Sequence, residues 1–573
     1  MDTILRNEVG LRPWLHLAGT FLLFASVADN AVLAETLVTW QPYEIVLTAE
    51  REHPWWEFPV QARFQREGED GTLTIEGYWD GGRRWVVRVA FPKPGTWLWR
   101  TESVDPGLVG KSGRIEVATP GEDRLCANPN FRGQVRIAAG GRYFEYADGT
   151  PFFLLADTLW AANTARCGLG ADGTGPFTEY LADRKRKGFT AVLMQLIHGY
   201  GDYPDGQAHR NEGGYALIDR DPARLNPGYF QHLDRRMRTL WEWGFVAATP
   251  TMWWGKTKSP LFKPEDARRL SAYCAVRYGA FNTIWCLSGE YQYTFRDCGW
   301  TPADITALGV EVQRHNPWRR PLSIHPSGST QWGPPHNVQS SRPFHGESWI
   351  DHHWLQTGQS LDRVCNIVTR LAENRALEPT MPVFCAEAFY EVATDPDSAY
   401  HARWQVWTAF LNGAAGYGYG AQGLWQFLDH SDPEGETGKL TDSRPVPWPE
   451  AIRLPGSTQV PHVRTLLTTL AWWQLEPRRE ALRVDGKPNP LPTAADLTPP
   501  QAATIGERTW VIYIPRGNAA HRIEIAEKVA IPPQGRWFDP RIGRFVGEAT
   551  AIQGGRIPAR PDPPDEDWVL LIQ

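Results

Sequence analysis

The sequence predicts an α/β protein in which a (β/α)8 TIM barrel is flanked by an N-terminal and a C-terminal β-sandwich domain. Two observations carry this prediction. Between residues 126 and 476, short apolar runs alternate with helical segments, the rhythm of parallel strands joined by helices. On either side, residues 35–125 and 477–573 contain short strand-like segments separated by Gly- and Pro-rich turns. At 573 residues, the chain is too long for a single core.

Residues 1–34 read as a signal peptide. An apolar stretch at 15–28 follows two arginines, and the small residues at 32–34 suit a signal peptidase. We therefore expect an exported protein, periplasmic or extracellular. No other stretch approaches the roughly 20 consecutive apolar residues of a membrane span, so none is expected in the mature chain.

Residues 35–125 are predicted to form a small immunoglobulin-like sandwich. Segments 61–64, 73–75 and 84–90 alternate apolar and polar residues, and glycine-containing turns at 80–82 and 93–95 separate strands.

The barrel is predicted from eight strand-like runs with helical segments between them. They are 152–155, 191–194, 245–248, 283–287, 322–324, 348–350, 383–384 and 414–419. A doubly wound open sheet is the alternative, but its first turn lacks a Gly-x-Gly-x-x-Gly pattern. Segments 510–514, 522–525 and 568–572 then predict the second β domain.

Composition narrows the function classes. Lys and Arg number 59 against 65 Asp and Glu, a net charge of −6 without a long basic stripe, so nucleic acid is not expected as a partner. The 28 tryptophans offer core packing and also flat platforms on which sugar faces stack.

Seven scattered cysteines lack the close spacing of a zinc or redox site. Cys286 and Cys385 lie inside apolar runs and are expected to be buried thiols. A disulfide between two of the other five cysteines is the alternative that the sequence leaves open.

Two glutamates, Glu290 and Glu387, follow apolar runs on the fourth and seventh predicted strands. Carboxylates at these strand ends lie at the face where barrel enzymes keep their chemistry. A pair about 5–5.5 Å apart supports a retaining glycosidase, and one roughly 6.5–9.5 Å apart an inverting one. The structural alternative is a buried ion pair with Arg403 or His325.

Other polar and aromatic residues follow the predicted strands and are candidates for sugar contact. They are Asp157, Trp160, Gln195, His198, Trp253, Trp254, Tyr291, His325, Gln356 and Trp425, with Asp351 to His353 placed after the sixth run. Helix capping by Asp157 and turn capping by His325 are the alternatives for those two residues.

Segments 148–160, 278–290 and 411–425 resemble the apiosidase-like glycoside hydrolases. The resemblance implies a (β/α)8 barrel related to retaining β-glycosidases, with Glu290 as acid/base and Glu387 as nucleophile. The flanks resemble the immunoglobulin-like domain and the module named for collagen binding that accompany such barrels. Gly289 stands where much of the wider clan has asparagine, and some members carry aspartate at the position of Glu290, so apiose specificity does not transfer.

These observations lead to one main hypothesis, a retaining O-glycoside hydrolase acting on a polysaccharide or its oligosaccharide fragments. No metal or organic cofactor is implied, and the oligomeric state is not predicted. A non-catalytic carbohydrate-binding protein and a transglycosidase using the same residues are the alternatives.

Overall fold

The computed structural model describes residues 37–198, 209–255, 262–328, 339–429, 446–526 and 534–573. The predicted signal peptide lies outside these residues. Residues 37–573 form one compact unit. Within the described part of this unit, no helix is long and apolar enough to cross a membrane.

The N-terminal part is built from two β-sheets, as predicted. The larger has the strand order Leu37–Val38, Ser112–Ala118, Gly95–Ser103, Val60–Arg66, Thr72–Glu76, and the smaller has the order Pro42–Thr48, Arg84–Ala90, Tyr78–Trp79. Alternate residues such as Phe64 and Val87 are fully buried between the sheets. The period-two segments of the sequence therefore mark real strands.

Two buried arginines fix this domain to the barrel. Arg88 pairs with Asp234 at 3.0 Å, and Arg277 pairs with Asp80 at 2.8 Å and with Asp234 at 2.6 Å. Asp234 and Arg277 belong to barrel helices, whereas Asp80 and Arg88 belong to the N-terminal domain. Removing one partner from such a network leaves an uncompensated buried charge, so the two parts are strongly coupled.

Eight parallel strands form the barrel sheet. They are β1 (Leu154–Thr158), β2 (Ala191–Leu193), β3 (Val246–Pro250), β4 (Thr283–Cys286), β5 (Leu322–Ser323), β6 (His353–Gln356), β7 (Val383–Glu387) and β8 (Gly416–Tyr419). Their order is β5-β4-β3-β2-β1-β8-β7-β6. Between β5 and β6, Ser323 Oγ donates to the His352 carbonyl at 2.6 Å, which bridges the nearly closed barrel.

The predicted sixth strand is wrong. Residues 348–350 are not a strand, and β6 begins at His353. Trp349 and Ile350 form an apolar run because they pack into the core beside the helices. Asp351 therefore lies before β6, where its carboxylate accepts from the Leu322 backbone N–H, and Gln356 occupies the strand end.

Helices surround the barrel. The longer ones are Pro176–Lys187, Pro227–Glu242, Pro264–Tyr278, Pro302–Arg314, Asn366–Arg375 and Ser398–Leu411. The shorter ones are Glu122–Ala127, Gln292–Cys298, Ser341–Phe344, Leu361–Val364, Trp448–Ala451, Gly456–Gln459 and His462–Leu467. Proline at the first position presets the first turn of four of the longer helices, Pro176–Lys187, Pro227–Glu242, Pro264–Tyr278 and Pro302–Arg314. A Thr301–Asp304 capping box stabilises the start of the last of them.

A small sheet fills the amino-terminal end of the barrel. Its strands are Arg136–Ile137, Phe144–Glu145 and Pro151–Phe152. Phe144 and Phe152 pack with Leu154 and Ala191 in the core inside the barrel. The opposite end, where the strands finish, is therefore the end available for a site.

The C-terminal part is a second β domain, as predicted. Its six-stranded sheet has the order Glu476–Pro477, Gln501–Ile505, Thr509–Ile514, Trp568–Ile572, Gln534–Asp539, Arg544–Ala551, beside a sheet of Lys487–Pro488, Leu482–Val484 and Ile523–Ile525. The buried pair of Arg403 and Asp567, with contacts of 2.6 and 2.9 Å, joins this domain to a barrel helix.

All seven cysteines are free. Cys286 and Cys385 are buried as predicted, and burial raises the pKa of the Cys385 thiol to about 12.

Candidate active site

Glu290 and Glu387 both lie at the carboxyl end of the barrel. Glu387 is the last residue of β7, and Glu290 follows β4 at the start of a turn. Each has a relative exposure of 7%. Carboxylates so removed from water require hydrogen-bond donors or a proton.

Glu290 is held in an unusual backbone conformation. Its φ is +36°, in the left-handed region that a residue with a side chain rarely adopts. Gln356 Nε2, at the end of β6, donates to Glu290 Oε1 at 3.2 Å. Strained backbone of this kind persists where the surroundings impose it, and it clusters at functional sites.

Trp253 explains why a glycine precedes Glu290. A Cβ on Gly289 would lie 1.9 Å from Trp253 Cε2 and 2.0 Å from Cδ2. The indole ring therefore fills the volume that a side chain at position 289 would need. An asparagine side chain at this position is therefore excluded by the ring of Trp253, which follows the neighbouring strand β3.

Three side chains surround the carboxylate of Glu387. His325 Nε2 is 3.0 Å from Oε2, and Gln359 Nε2 donates to Oε1 at 2.9 Å. The Tyr390 hydroxyl donates to the same carboxylate and accepts from Trp160 Nε1 at 3.1 Å. Donors of this kind stabilise the ionised carboxylate.

Burial and Glu387 both affect the hydroxyl group of Tyr390. Burial raises the pKa of the Tyr390 hydroxyl well above its usual value, and the negative charge of Glu387 raises it further. Gln359 is itself fixed, because its Nε2 also donates to the Ala388 carbonyl and its Oε1 accepts from the Tyr390 backbone N–H.

His325 connects the two glutamates. Its backbone N–H donates to Ser288 and its carbonyl accepts from the Tyr291 N–H, both at 3.0 Å, while its ring reaches Glu387. The ends of β4, β5 and β7 are thus tied together. Glu290 and Glu387 belong to one site.

Aromatic rings line this site. Trp160 and Trp253 meet edge to face with ring centroids 4.5 Å apart, and the His325 ring lies 5.8 Å from each. Trp354 lies 5.4 Å from His325 on another side. Trp425 is partly buried against the core inside the barrel, and its Nε1 donates to Gln422.

Two further predicted contacts lie after β2. Gln195 is buried, its backbone N–H approaches the Trp160 carbonyl at 3.5 Å, and its Oε1 has no hydrogen-bond partner among the described residues. The His198 ring lies 5.5 Å from His209. Trp253 Nε1 and Gln356 Oε1 likewise have no partner within the described part of the chain.

Three predicted contact residues face away from the barrel interior. Asp157 is fully buried and accepts from Arg184 Nε at 2.6 Å and from the Tyr180 hydroxyl at 2.7 Å, both on the first barrel helix. Its burial raises the pKa of its carboxyl group, although Arg184 opposes that rise. Side chains alternate along a strand, so Asp157 points outward while its neighbours Ala156 and Thr158 point inward.

Trp254 and Tyr291 are the other two. Trp254 donates to the Leu287 carbonyl at 2.9 Å and packs with Phe262, and the Tyr291 ring packs against Phe295. Both rings belong to the core beside the helices. The contacts of all three side chains lie on the helix side of the barrel, and their contact with sugar stays a prediction.

Three residues of the site, Gln359, Tyr390 and Trp354, were not predicted from the sequence. Placing the sixth strand at 348–350 hid Trp354 and Gln359, because the true strand ends later. Tyr390 follows Glu387 by three residues, a spacing that a search for donors around each carboxylate would have found. Within the described residues, no group of three or more His, Cys, Asp or Glu could hold a metal ion.

Comparisons with known proteins agree with this geometry. Residues 138–474 match the model of the apiosidase-like catalytic domain, and residues 36–104 match a domain of unknown function, DUF5060. No curated protein matches.

Solved structures with a similar fold include a glycoside hydrolase with 19% identity, which covers 78% of this chain and 98% of that chain at a TM-score of 0.61. A glycoside hydrolase family 5 protein from Bacteroides vulgatus ATCC 8482 has 19% identity, with 78% and 95% covered and a TM-score of 0.60. A candidate glycoside hydrolase from the same organism has 17% identity, with 94% and 99% covered and a TM-score of 0.63.

Proposed function

The chain belongs to the apiosidase-like family of glycoside hydrolases, and from this premise we propose that it cleaves O-glycosidic bonds with retention of configuration. The observation that carries the proposal is the set of donors around Glu387. A nucleophile must be ionised, and His325, Gln359 and Tyr390 all favour the ionised carboxylate.

In the first step, Glu387 attacks the anomeric carbon and Glu290 gives its proton to the departing oxygen. The bond to the leaving group breaks as the ester bond to Glu387 forms. This step requires a proton on Glu290 in the resting enzyme. In the second step, Glu290 takes a proton from water, water attacks the same carbon, and Glu387 regains its charge.

We infer that sugar hydroxyl groups form hydrogen bonds with three buried polar atoms near these glutamates. Gln195 Oε1, Gln356 Oε1 and Trp253 Nε1 are buried and without partners among the described residues. An unmade buried hydrogen bond costs about 1–3 kcal/mol, which a bound sugar or water recovers. Trp160 and Trp425 supply apolar ring surface beside them, and His198 lies at the start of the loop after β2.

The proposed substrate is a polysaccharide or its oligosaccharide fragments. Long loops follow several barrel strands, and βα loops set specificity in this fold. Export, proposed from the leader at residues 1–34, would place the enzyme where such glycans are found.

The experiment is a digest of mixed plant and microbial polysaccharides, analysed by mass spectrometry, with wild-type protein, Glu387→Gln and Glu290→Gln. Glu548→Gln, an exposed glutamate of the C-terminal domain, is the matched control. We expect products from the wild type and the control only. We expect proton NMR to show that the first product released has the same anomeric configuration as the substrate.

Two outcomes contradict the proposal. Near-normal turnover by Glu387→Gln removes its role as nucleophile, and a first product of opposite anomeric configuration establishes inversion. Glycan binding without any product supports the carbohydrate-binding alternative, and new, longer oligosaccharides at high acceptor concentration support transglycosylation.

A further inference from the structure

The ring of His325 is held at both nitrogens. Nδ1 lies 2.8 Å from the carbonyl oxygen of Pro326, and Nε2 lies 3.0 Å from Glu387 Oε2. A carbonyl oxygen only accepts hydrogen bonds, so Nδ1 carries a proton. The contact with Glu387 then requires a second proton, located either on Nε2 or on the carboxyl group.

The surroundings of Glu387 decide between these two arrangements. Gln359 donates to Oε1, and the Tyr390 hydroxyl donates to the same group. Both contacts favour a carboxylate over a carboxylic acid, so the shared proton is more stable on the imidazole. The centroids of the Trp160, Trp253 and Trp354 rings lie 5.4–5.8 Å from that of the His325 ring, within the range at which an aromatic face attracts a cation.

We propose that His325 is a doubly protonated positioning residue that keeps Glu387 ionised and aimed in the resting enzyme. This inference rests on the proposed role of Glu387 as nucleophile. His325 keeps both protons during the attack, because the proton that reaches the leaving oxygen comes from Glu290. The imidazolium then faces a neutral ester instead of a carboxylate.

The loss of that counter-charge has a kinetic consequence. A buried cation without a carboxylate is costly, so the glycosyl-enzyme is destabilised relative to the resting pair. Release of the sugar restores the negative charge on Glu387 and the ion pair. His325 thereby favours both the attacking form of Glu387 and its later departure as a leaving group.

Among the described residues, Glu387 and Tyr390 are the titratable groups found beside the His325 ring. Glu387 is its direct partner, and Tyr390 contacts that partner. The His325 backbone N–H also approaches the Cys286 thiol, and Glu290 lies next to Tyr291, whose N–H donates to the His325 carbonyl. Cys286 is a neutral thiol, since burial raises its pKa above the usual value. Glu387 is therefore the charged group that the His325 ring contacts directly.

The first test needs no substrate. Full-length protein labelled with 15N-histidine is examined by long-range proton–nitrogen NMR at pH 5 to 7, and the His325 signals are identified as those absent from His325→Gln. We expect both ring nitrogens of His325 to be protonated in the wild type. In Glu387→Gln, we expect Nε2 to lose its proton. An unprotonated Nε2 in the wild type overturns the proposal.

The second test uses the oligosaccharide identified in the polysaccharide digest. His325→Gln keeps a neutral donor, whereas His325→Phe keeps only a ring. We expect kcat/KM to fall about 10- to 100-fold in His325→Gln and further in His325→Phe. The acid side of the pH profile should move to higher pH, because Glu387 binds a proton more readily without the neighbouring cation. A profile that keeps its wild-type position contradicts the inference.

Failure of this inference is distinguishable from failure of the proposed function. Turnover that survives Glu387→Gln removes the nucleophile, whatever the NMR signals of His325 show. A neutral His325 beside an essential Glu387 removes only the positioning role.

Discussion

Replacing Gly289 by alanine perturbs the active site by a single methyl group. The new Cβ would lie 1.9 Å from Trp253 Cε2, whereas carbon atoms in contact are about 3.5–4.0 Å apart. The indole ring must therefore retreat by about 1.5–2 Å. Retreat is opposed by Trp160, whose ring centroid is 4.5 Å away, and by His325 at 5.8 Å.

We expect two measurable effects of Gly289→Ala. Overpacking of a rigid core lowers the free energy of unfolding by about 1–3 kcal/mol. Displacement of the turn that carries Glu290 by about 1 Å lowers kcat/KM about 100-fold. Urea denaturation measures the first effect, and initial rates on the substrate from the digest measure the second.

Gly346→Ala is the matched control, because a Cβ there has no atom within 4 Å and no positive φ to oppose it. A double-mutant cycle with Trp253→Ala completes the test. If the ring is the obstacle, truncating Trp253 costs less stability in Gly289→Ala than in the wild type. Equal stability and activity of Gly289→Ala and Gly346→Ala would refute the steric account.

Three other substitutions give distinct outcomes. Tyr390→Phe removes a donor to Glu387 and the acceptor of Trp160 Nε1, so it should lower kcat about 10- to 100-fold and the free energy of unfolding by about 1–3 kcal/mol, as rates and urea denaturation would show. Asp157→Asn weakens the buried pair with Arg184 and should lower the free energy of unfolding by up to about 3–5 kcal/mol without raising KM; a raised KM at unchanged stability would indicate sugar contact instead. Burial raises the pKa of Asp351 to about 6, so the folded state holds its proton more tightly than the unfolded state. The contribution of Asp351 to the free energy of unfolding therefore falls by up to about 3 kcal/mol as pH rises from 4 to 7. Urea denaturation over that range should show that Asp351→Asn becomes progressively more stable than the wild type.

The sequence predicted the barrel well, because parallel strands buried on both faces are continuous apolar runs. It failed at the sixth strand for the same reason. Trp349 and Ile350 are apolar because they pack beside helices, and an apolar run of three residues does not distinguish that surrounding from a strand. True β6, which begins with His353 and ends with Gln356, looks polar although all four of its residues are buried.

The direction in which a side chain points was harder to predict than the place of its residue at a strand end. The residues at the end of a strand point alternately into the barrel and toward the helices, so an error of one residue reverses the environment. Asp157 illustrates this, since its carboxylate pairs with Arg184 whereas Trp160, three residues later, contacts Tyr390 inside the barrel. The positions of Glu290 and Glu387 were safer, because each ends a clear run.

The adjacent residues Trp253 and Trp254 show how the tryptophan content divides between two uses. Trp253 packs in the core inside the barrel, over Gly289, and its Nε1 meets no partner among the described residues. Trp254 packs beside the helices and its Nε1 donates to the Leu287 carbonyl. The Trp254 N–H is thus satisfied within the scaffold, whereas the buried Trp253 N–H, next to the turn that carries Glu290, is suited to a sugar hydroxyl. An open N–H alone does not assign a tryptophan to substrate, since Trp349 Nε1 also lacks a partner among the described residues although its ring packs beside the helices.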